Sequence, residues 1–332
     1  MQKIVVTGAS GFLGGRLLKY LTQHKRAIEV IGTGRRSERK AEFEQLHCQY
    51  QAGDLLDENF CRALLENADV IVHCAALSAP WGKREEFVKA NIRTTQNLLN
   101  TGRKSGVKKF VFISTPSIYY DGRHRFHVSE NDPLPSKPVN EYAATKWEAE
   151  MEVLRQNSPT FQTIALRPRA IIGEEDTVIF PRLLKAYQSG RLKIIGDGRN
   201  VVDLTTARNV IEAVICALYA PKEAYGQAYN ITNGEPVILW DEINFLLTKL
   251  GLTPVSQHVP LGMADAFAKL MELKAKITGG SEPTLTRYGI GVLAKSLTMD
   301  ISKAKALLTY QPVQTTREGI IEFIEWYRNQ QL

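Results

Sequence analysis

The sequence predicts an α/β protein, a doubly wound parallel sheet with a smaller C-terminal substrate-binding lobe. The opening "KIVVTGASGFLGGRLLKYLTQH" runs from a β-branched strand through a glycine-spaced turn into a helix. "DVIVHCAAL" and "KKFVFISTPSIYYDG" then supply continuous apolar strands, as strands covered by helices on both faces must be. A chain of 332 residues is also long for one uninterrupted core, so a large domain with a smaller companion is expected.

Composition narrows the function classes. With 44% hydrophobic and 23% charged residues, the chain reads as a soluble globular enzyme. No apolar run approaches the roughly 20 residues needed to span a bilayer, and "MQKIVVTGAS" lacks the layout of a signal peptide, so a cytoplasmic location is expected. Cys48, Cys61, Cys74 and Cys216 show no C-x-x-C spacing and read as free core thiols. The histidines make no ligand spacing either, and no metal is expected. The net charge of +7 is spread along the chain without interleaved aromatic residues, which argues against nucleic acid as a partner.

The first strand covers Lys3 to Val6, and the helix after it repeats apolar Phe12, Leu13, Leu17, Leu18 and Leu21 at helical spacing. Between them Gly8, Gly11 and Gly14 stand at G-x-x-G-x-x-G. Glycines there permit a tight turn and let the backbone approach a pyrophosphate, which the helix N-terminus stabilises. "AIEVIGTGRR" is the second strand. At its end, where an acid would accept hydrogen bonds from the ribose of NAD, stand Gly34, Arg35 and Arg36, and a guanidinium there suits the 2′-phosphate of NADP. "YQAGDLLD" places Asp54 and Leu55 after the third strand, suited to the adenine ring, and "DVIVHCAAL" ends in the small residues Ala75 and Ala76, against which a cofactor can lie.

"NEYAATKWEAE" carries the chemistry. Tyr142 and Lys146 are one helical turn apart and share a face. A cation near a phenol favours the phenolate and lowers a pKa that is otherwise about 10. The preceding strand delivers Ser114, Thr115 and Ser117 at its end, so a Thr115 hydroxyl can hold a substrate oxygen while Tyr142 moves its proton.

Together "TGASGFLG", "GDLLD", "HCAA", "ANIRTTQNLL", "STPSIYY", "YAATK", "LRPRAIIG" and "DISKAKALLTYQP" resemble the extended short-chain dehydrogenase/reductase family, which includes the NAD-dependent epimerase/dehydratase and 3β-hydroxysteroid dehydrogenase groups. "AALSAPWGKREEFVKANI", "STPSIYYDGRHRFHVSE" and "NGEPVILWDEIN" look most like the steroid-dehydrogenase branch, which includes bacterial 2-alkyl-3-oxoalkanoate reductases. The resemblance implies a Rossmann-type fold with Tyr142 as acid/base, Lys146 as its activator and Thr115 as their partner. Ser10, Phe12 and Leu13 join the three glycines, Arg35, Arg36, Asp54, Leu55, Ala75, Ala76, Tyr142, Lys146 and Pro168 as cofactor contacts. Trp81 and Ser117 are candidate substrate contacts. Asn91 matches a family asparagine that either takes part in catalysis or satisfies buried backbone. Two departures are "IIGEED" in place of the commoner V-Y-G-P, and Thr94 where a glycine is usual.

The implied activity is NADP-dependent (NAD possible) interconversion of a 3-hydroxyl and a ketone on a lipophilic substrate, sterol-like or a long-chain β-keto acid. Nucleotide-sugar epimerisation or dehydration is the alternative, although a dehydratase would want an acid where Pro116 stands. Residues 1–170, with 201–238 returning, are expected to form the NADP-binding domain, and 171–200 with 239–332 the substrate lobe. The "MADAFAKLMELKAKITG" helix is expected to pack on that lobe, with an apolar tunnel or a peripheral membrane contact as alternatives. The resemblance also implies a homodimer built on the Tyr142 and Asn91 helices.

Overall fold

The computed structural model describes residues 2–24, 28–278 and 282–330. Seven parallel strands form the main sheet in the spatial order Gln227–Ile231, Gln162–Pro168, Lys109–Ile113, Val70–His73, Gln2–Thr7, Ile28–Gly34, Gln49–Ala52. The order reverses between the strands ending at Thr7 and His73, and a doubly wound sheet offers its binding crevice at that switch point, outside the carboxyl ends of the strands. The second strand begins at Ile28; Ala27, expected to open it, lies outside the described residues.

Burial follows from the strand composition. Ile4, Val6, Val70, Val72, Val111, Ile164 and Leu166 face one core, shared with Leu13, Leu17, Leu18 and Leu21 of the helix Phe12–His24 and with the helix Ala207–Leu218. Val5, Ile71, Phe110, Phe112 and Ala165 face a second core closed by Leu98, Leu99, Ala149 and Val153. The same strands thus feed both sides alternately, which requires the continuous apolar runs seen in the sequence. A third core gathers Ile172, Phe180, Leu184, Trp240, Leu246, Leu247 and Phe323, away from the sheet. Ala304, Leu308 and Tyr310, late in the chain, pack back on the first core.

The helix Leu261–Thr278 does not pack as its apolar stripe suggests. Its small residues Ala264 and Ala268 face inward, while Met263, Phe267, Leu270, Leu273 and Ile277 are exposed. Alanines allow the helix to lie close to its neighbour, and the larger side chains then have no room underneath. Gly279, at the end of the expected helix, lies outside the described residues. No helix among the described residues is long and apolar enough to cross a membrane.

Two of the four cysteines, Cys48 and Cys61, are buried, and all four are free. Among the described residues no cluster of His, Cys, Asp or Glu has the arrangement of a metal site.

Candidate active site

The glycine turn sits at the switch point. Gly8 has φ +70°, a left-handed conformation that favours glycine, and a Cβ there would lie 2.7 Å from the Ala75 nitrogen. A Cβ on Gly14 would lie 2.4 Å from the Gly8 carbonyl oxygen. Both positions therefore need glycine to hold the turn against the strand end at Ala75, whose N–H donates to Thr7 Oγ1 at 3.2 Å. His73 fixes this strand end from beneath. Its ring bridges Thr7 Oγ1 at 2.7 Å and Thr95 Oγ1 at 3.0 Å, and burial pushes its pKa down to about 3, so it stays neutral.

Gly34 ends the second strand against Ser10, where a Cβ would lie 2.4 Å from Ser10 Oγ. Arg35 and Arg36 beyond it are exposed and form no ion pair among the described residues, whereas Arg39 is bound to Glu42 at 3.0 Å. Asp54 is exposed, its carboxylate accepting from the Leu56 N–H at 3.0 Å. Leu55 instead packs into the second core, so of this pair only Asp54 offers a side chain to the crevice surface. Ala75 is partly accessible and Ala76 exposed. Ser114 Oγ is buried with no hydrogen-bond partner among the described residues. The glycine cradle at the switch point fits the pyrophosphate of a dinucleotide.

Asn140 caps the helix Glu141–Arg155, accepting from the Ala143 N–H at 2.8 Å. Tyr142 is half-buried and Lys146 buried. The Lys146 ammonium donates to the Ile113 carbonyl at 2.6 Å and lies 3.8 Å over the Phe112 ring. One of its three protons is thus spent on the strand end. Glu150, one turn further, forms a buried ion pair with Arg167, which also reaches the Tyr119 hydroxyl. This second attachment fixes the helix against the strand Gln162–Pro168, with Pro168 buried at its end.

Electrostatically the pair departs from expectation. Burial pushes the Tyr142 phenol up to about 12, opposed by a hydrogen bond with Thr115, and pushes Lys146 down to about 7, opposed by Glu150. The sequence spacing implies a cation lowering the phenol. In the protein alone, loss of water around both groups outweighs that, because the ammonium is directed at the Ile113 carbonyl.

Thr115 caps the short helix Pro116–Tyr119 and donates to Ser117 Oγ at 3.1 Å. Ser117 Oγ in turn lies 2.9 Å from the Tyr288 hydroxyl, so a file of hydroxyls connects Thr115 to the helix Arg287–Ala294. Trp81 stands partly buried in the loop after Ala76. Asn91 sits in a π turn, Val88–Arg93, and is 1% exposed. Its amide accepts from the Leu77 N–H at 2.7 Å and donates to Thr145 Oγ1 at 3.0 Å, tying the loop after Ala76 to the Tyr142 helix. Tyr288 and the buried Arg169 were not selected from the sequence. Arg169 was visible in "LRPRAIIG", where an arginine directly follows a strand end.

A doubly wound sheet, a glycine turn at its switch point and a Ser/Thr–Tyr–Lys group beside it define an NAD(P)-dependent dehydrogenase/reductase of the extended short-chain type. The sequence profile of the 3-beta hydroxysteroid dehydrogenase/isomerase family matches residues 5–261, and the chain belongs to that family. It is 32% identical to a 2-alkyl-3-oxoalkanoate reductase of Shewanella oneidensis, over 95% of this chain and 84% of that one. It is 28% identical to the mouse sterol-4-alpha-carboxylate 3-dehydrogenase (decarboxylating), over 99% and 91%. Among solved structures, the UDP-glucuronic acid 4-epimerase of Bacillus cereus in complex with NAD superposes with a TM-score of 0.75 at 26% identity, covering 99% of both chains.

Proposed function

We propose that the protein is an NADP-dependent reductase that interconverts a 3-ketone and a 3-hydroxyl on a lipophilic substrate. The observation that carries this reading is the placement of the Tyr142 phenol with Thr115 and Lys146 at the carboxyl edge of the sheet, Lys146 being tied to the strand end at Ile113. When bound, the dinucleotide supplies or accepts the hydride. Thr115 and Ser117 orient the substrate oxygen by hydrogen bonding, and the Tyr142 hydroxyl gives that oxygen its proton in the reducing direction. Lys146 keeps two ammonium protons for the nicotinamide-side ribose and the phenol, while its third stays on Ile113. The glycine turn with Ser10, Phe12 and Leu13 holds the pyrophosphate, Arg35 and Arg36 the 2′-phosphate, Asp54 the adenosine end, and Ala75, Ala76 and Pro168 line the cofactor bed. Residues 1–170 and 201–238 form the cofactor domain in this reading, and 171–200 with 239–332 the substrate lobe, except for the 304–310 stretch that packs back on the cofactor domain's core, with Trp81 at the lobe's entrance. The same reading includes a homodimer through the Tyr142 and Asn91 helices.

The names of the relatives support a carbonyl on a large apolar molecule over a nucleotide sugar, as does Pro116 where a dehydratase would need an acid. The decisive experiment is turnover of NADPH with a panel of long-chain ketones, beside thermal-shift titration with UDP- and dTDP-sugars. Ketone reduction with no sugar-induced shift is expected; a clear upward shift with either sugar, and no ketone turnover, makes the enzyme an epimerase.

Cofactor choice is tested separately. NADPH should bind more tightly than NADH in fluorescence titrations. Arg35→Ala should weaken NADPH alone, by about 1.5–3 kcal/mol for a charge-assisted contact. Equal affinity for the two dinucleotides in the wild type would remove the assignment of the arginines.

A further inference from the structure

The helix Arg287–Ala294 brings a second phenol to the site from 171 residues away. The Tyr288 hydroxyl lies 2.9 Å from Ser117 Oγ, and Ser117 Oγ accepts from Thr115 Oγ1 at 3.1 Å. The Ser117 N–H donates in turn to Thr115 Oγ1 at 3.2 Å.

That helix is held at both ends. Thr286 caps it, accepting from the Gly289 N–H at 3.0 Å. Arg287 ties it to the helix Leu261–Thr278, its Nε donating to Asp265 at 2.9 Å and its N–H to the Glu272 carboxylate at 2.7 Å. At the far end the Leu293 carbonyl accepts from Trp240 Nε1 at 3.0 Å, and Ile290 and Ala294 are buried with Ala264 and Ala268. The Tyr288 ring itself meets the Tyr120 ring edge-on, 5.4 Å between centroids. Gly291 shows how close this contact is. A Cβ there would lie 1.3 Å from the Tyr120 hydroxyl, so a glycine stands inside the helix although it weakens helices.

Counting protons limits what the file of hydroxyls can do. Each hydroxyl has one proton to give and can accept twice. Thr115 spends its proton on Ser117, and a second proton lies between Ser117 and Tyr288. One of the three is left over, on Ser117 or on Tyr288, and none is left on Thr115. Exposure agrees with this count. Thr115 is 5% exposed, whereas Ser117 and Tyr288 are half-buried, so the accessible end of the file is the end with the spare proton.

We propose that Tyr288 is a positioning residue for carbonyl reduction: it donates to Ser117 Oγ and so directs the Ser117 proton to the substrate oxygen, on which Thr115 acts through Ser117. This rests on the carbonyl-reductase reading of the same site. A phenol is a stronger hydrogen-bond donor than an aliphatic alcohol, which sets the direction of the bond between the two. Ser117 then accepts twice and donates once, the full complement of a hydroxyl. The bond it gives strengthens as the carbonyl oxygen gains negative charge, so its effect falls on the transition state.

The test follows reduction of methyl 3-oxodecanoate by the NADPH-loaded enzyme. Tyr288→Phe keeps the ring with its edge-on contact and removes the hydroxyl. It should lower kcat about tenfold, leave KM and NADPH affinity within a few-fold, and melt within a few degrees of wild type. Ser117→Ala should lose at least as much in kcat. The double variant should be no slower than Ser117→Ala, because Tyr288 then has nothing to position. Ser117→Thr, which keeps a hydroxyl, should retain most of the rate and its dependence on Tyr288. An unchanged kcat in Tyr288→Phe overturns the proposal, as do losses that multiply in the double variant or a loss confined to KM. If wild type reduces neither this ester nor any of the long-chain ketones, the reductase reading fails and takes the assignment with it.

Discussion

Tyr142→Phe should abolish ketone reduction, lowering kcat by about 10²–10⁴ while leaving NADPH affinity within a few-fold, because the ring still packs and only the proton donor is removed. The direction of the pKa shift makes this sharper. A phenol held up at about 12 is fully protonated across the neutral range, so it is ready to give a proton and poorly placed to take one. Reduction should therefore show no rise with pH attributable to Tyr142, whereas alcohol oxidation should increase steadily toward alkaline pH as phenolate forms. Stopped-flow rates in both directions across a pH series would check this. Substantial activity in Tyr142→Phe with an authentic substrate would reduce the Tyr–Lys spacing to a feature of the helix surface.

Lys146→Met should be inactive and, unlike most active-site losses, more stable. The amine has a folded pKa of about 7, against about 10.4 for an unperturbed lysine, so between those values the unfolded chain binds a proton that the folded chain does not. Stability must then rise with pH across this window, and the penalty of the buried charge is fully present below about 7. Methionine removes the penalty and forfeits the hydrogen bond to Ile113, leaving a gain on the order of 1–3 kcal/mol at pH 6 that vanishes above pH 10. Denaturant melts of the two proteins without dinucleotide, at several pH values, would measure it. A Lys146→Met variant less stable than wild type at pH 6 would show that the ammonium is comfortably accommodated. Under the proposed role of Lys146 toward the cofactor, its affinity for NADPH should fall together with its activity.

Much of this site is legible in the sequence because its parts are local. Gly8, Gly11 and Gly14, the Thr115 strand end and the Tyr142–Lys146 turn are each set by spacing within a single element, and strand continuity shows which edge they share. What stayed hidden depends on partners distant in the chain. Lys146 turns toward Ile113, 33 residues away, so its electrostatic effect on Tyr142 could not follow from helical period alone. Tyr288 reaches Ser117 across 171 residues. Among the described residues the Arg169 Nε lacks a partner, and no sequence pattern records an absence. In the helix Leu261–Thr278 the apolar period was plain, but a period identifies a face without saying which side of the helix meets the protein. The alanines, easily passed over, were the inward side.

The π turn at Val88–Arg93 has a further consequence, for how this chain tolerates change in length. A π turn carries roughly one residue more than an α turn, and such bulges recur at functional sites. Deleting a single residue from this segment would restore regular winding and turn the following helix, Thr94–Lys104, by about 100° relative to the one before it. Leu98 and Leu99 would then leave the core they now close, and Asn91 would lose its hold on Leu77 and Thr145. The irregularity that aims Asn91 is thus locked to the packing of the domain. Descendants of this sequence can vary the residues here far more freely than they can vary their number.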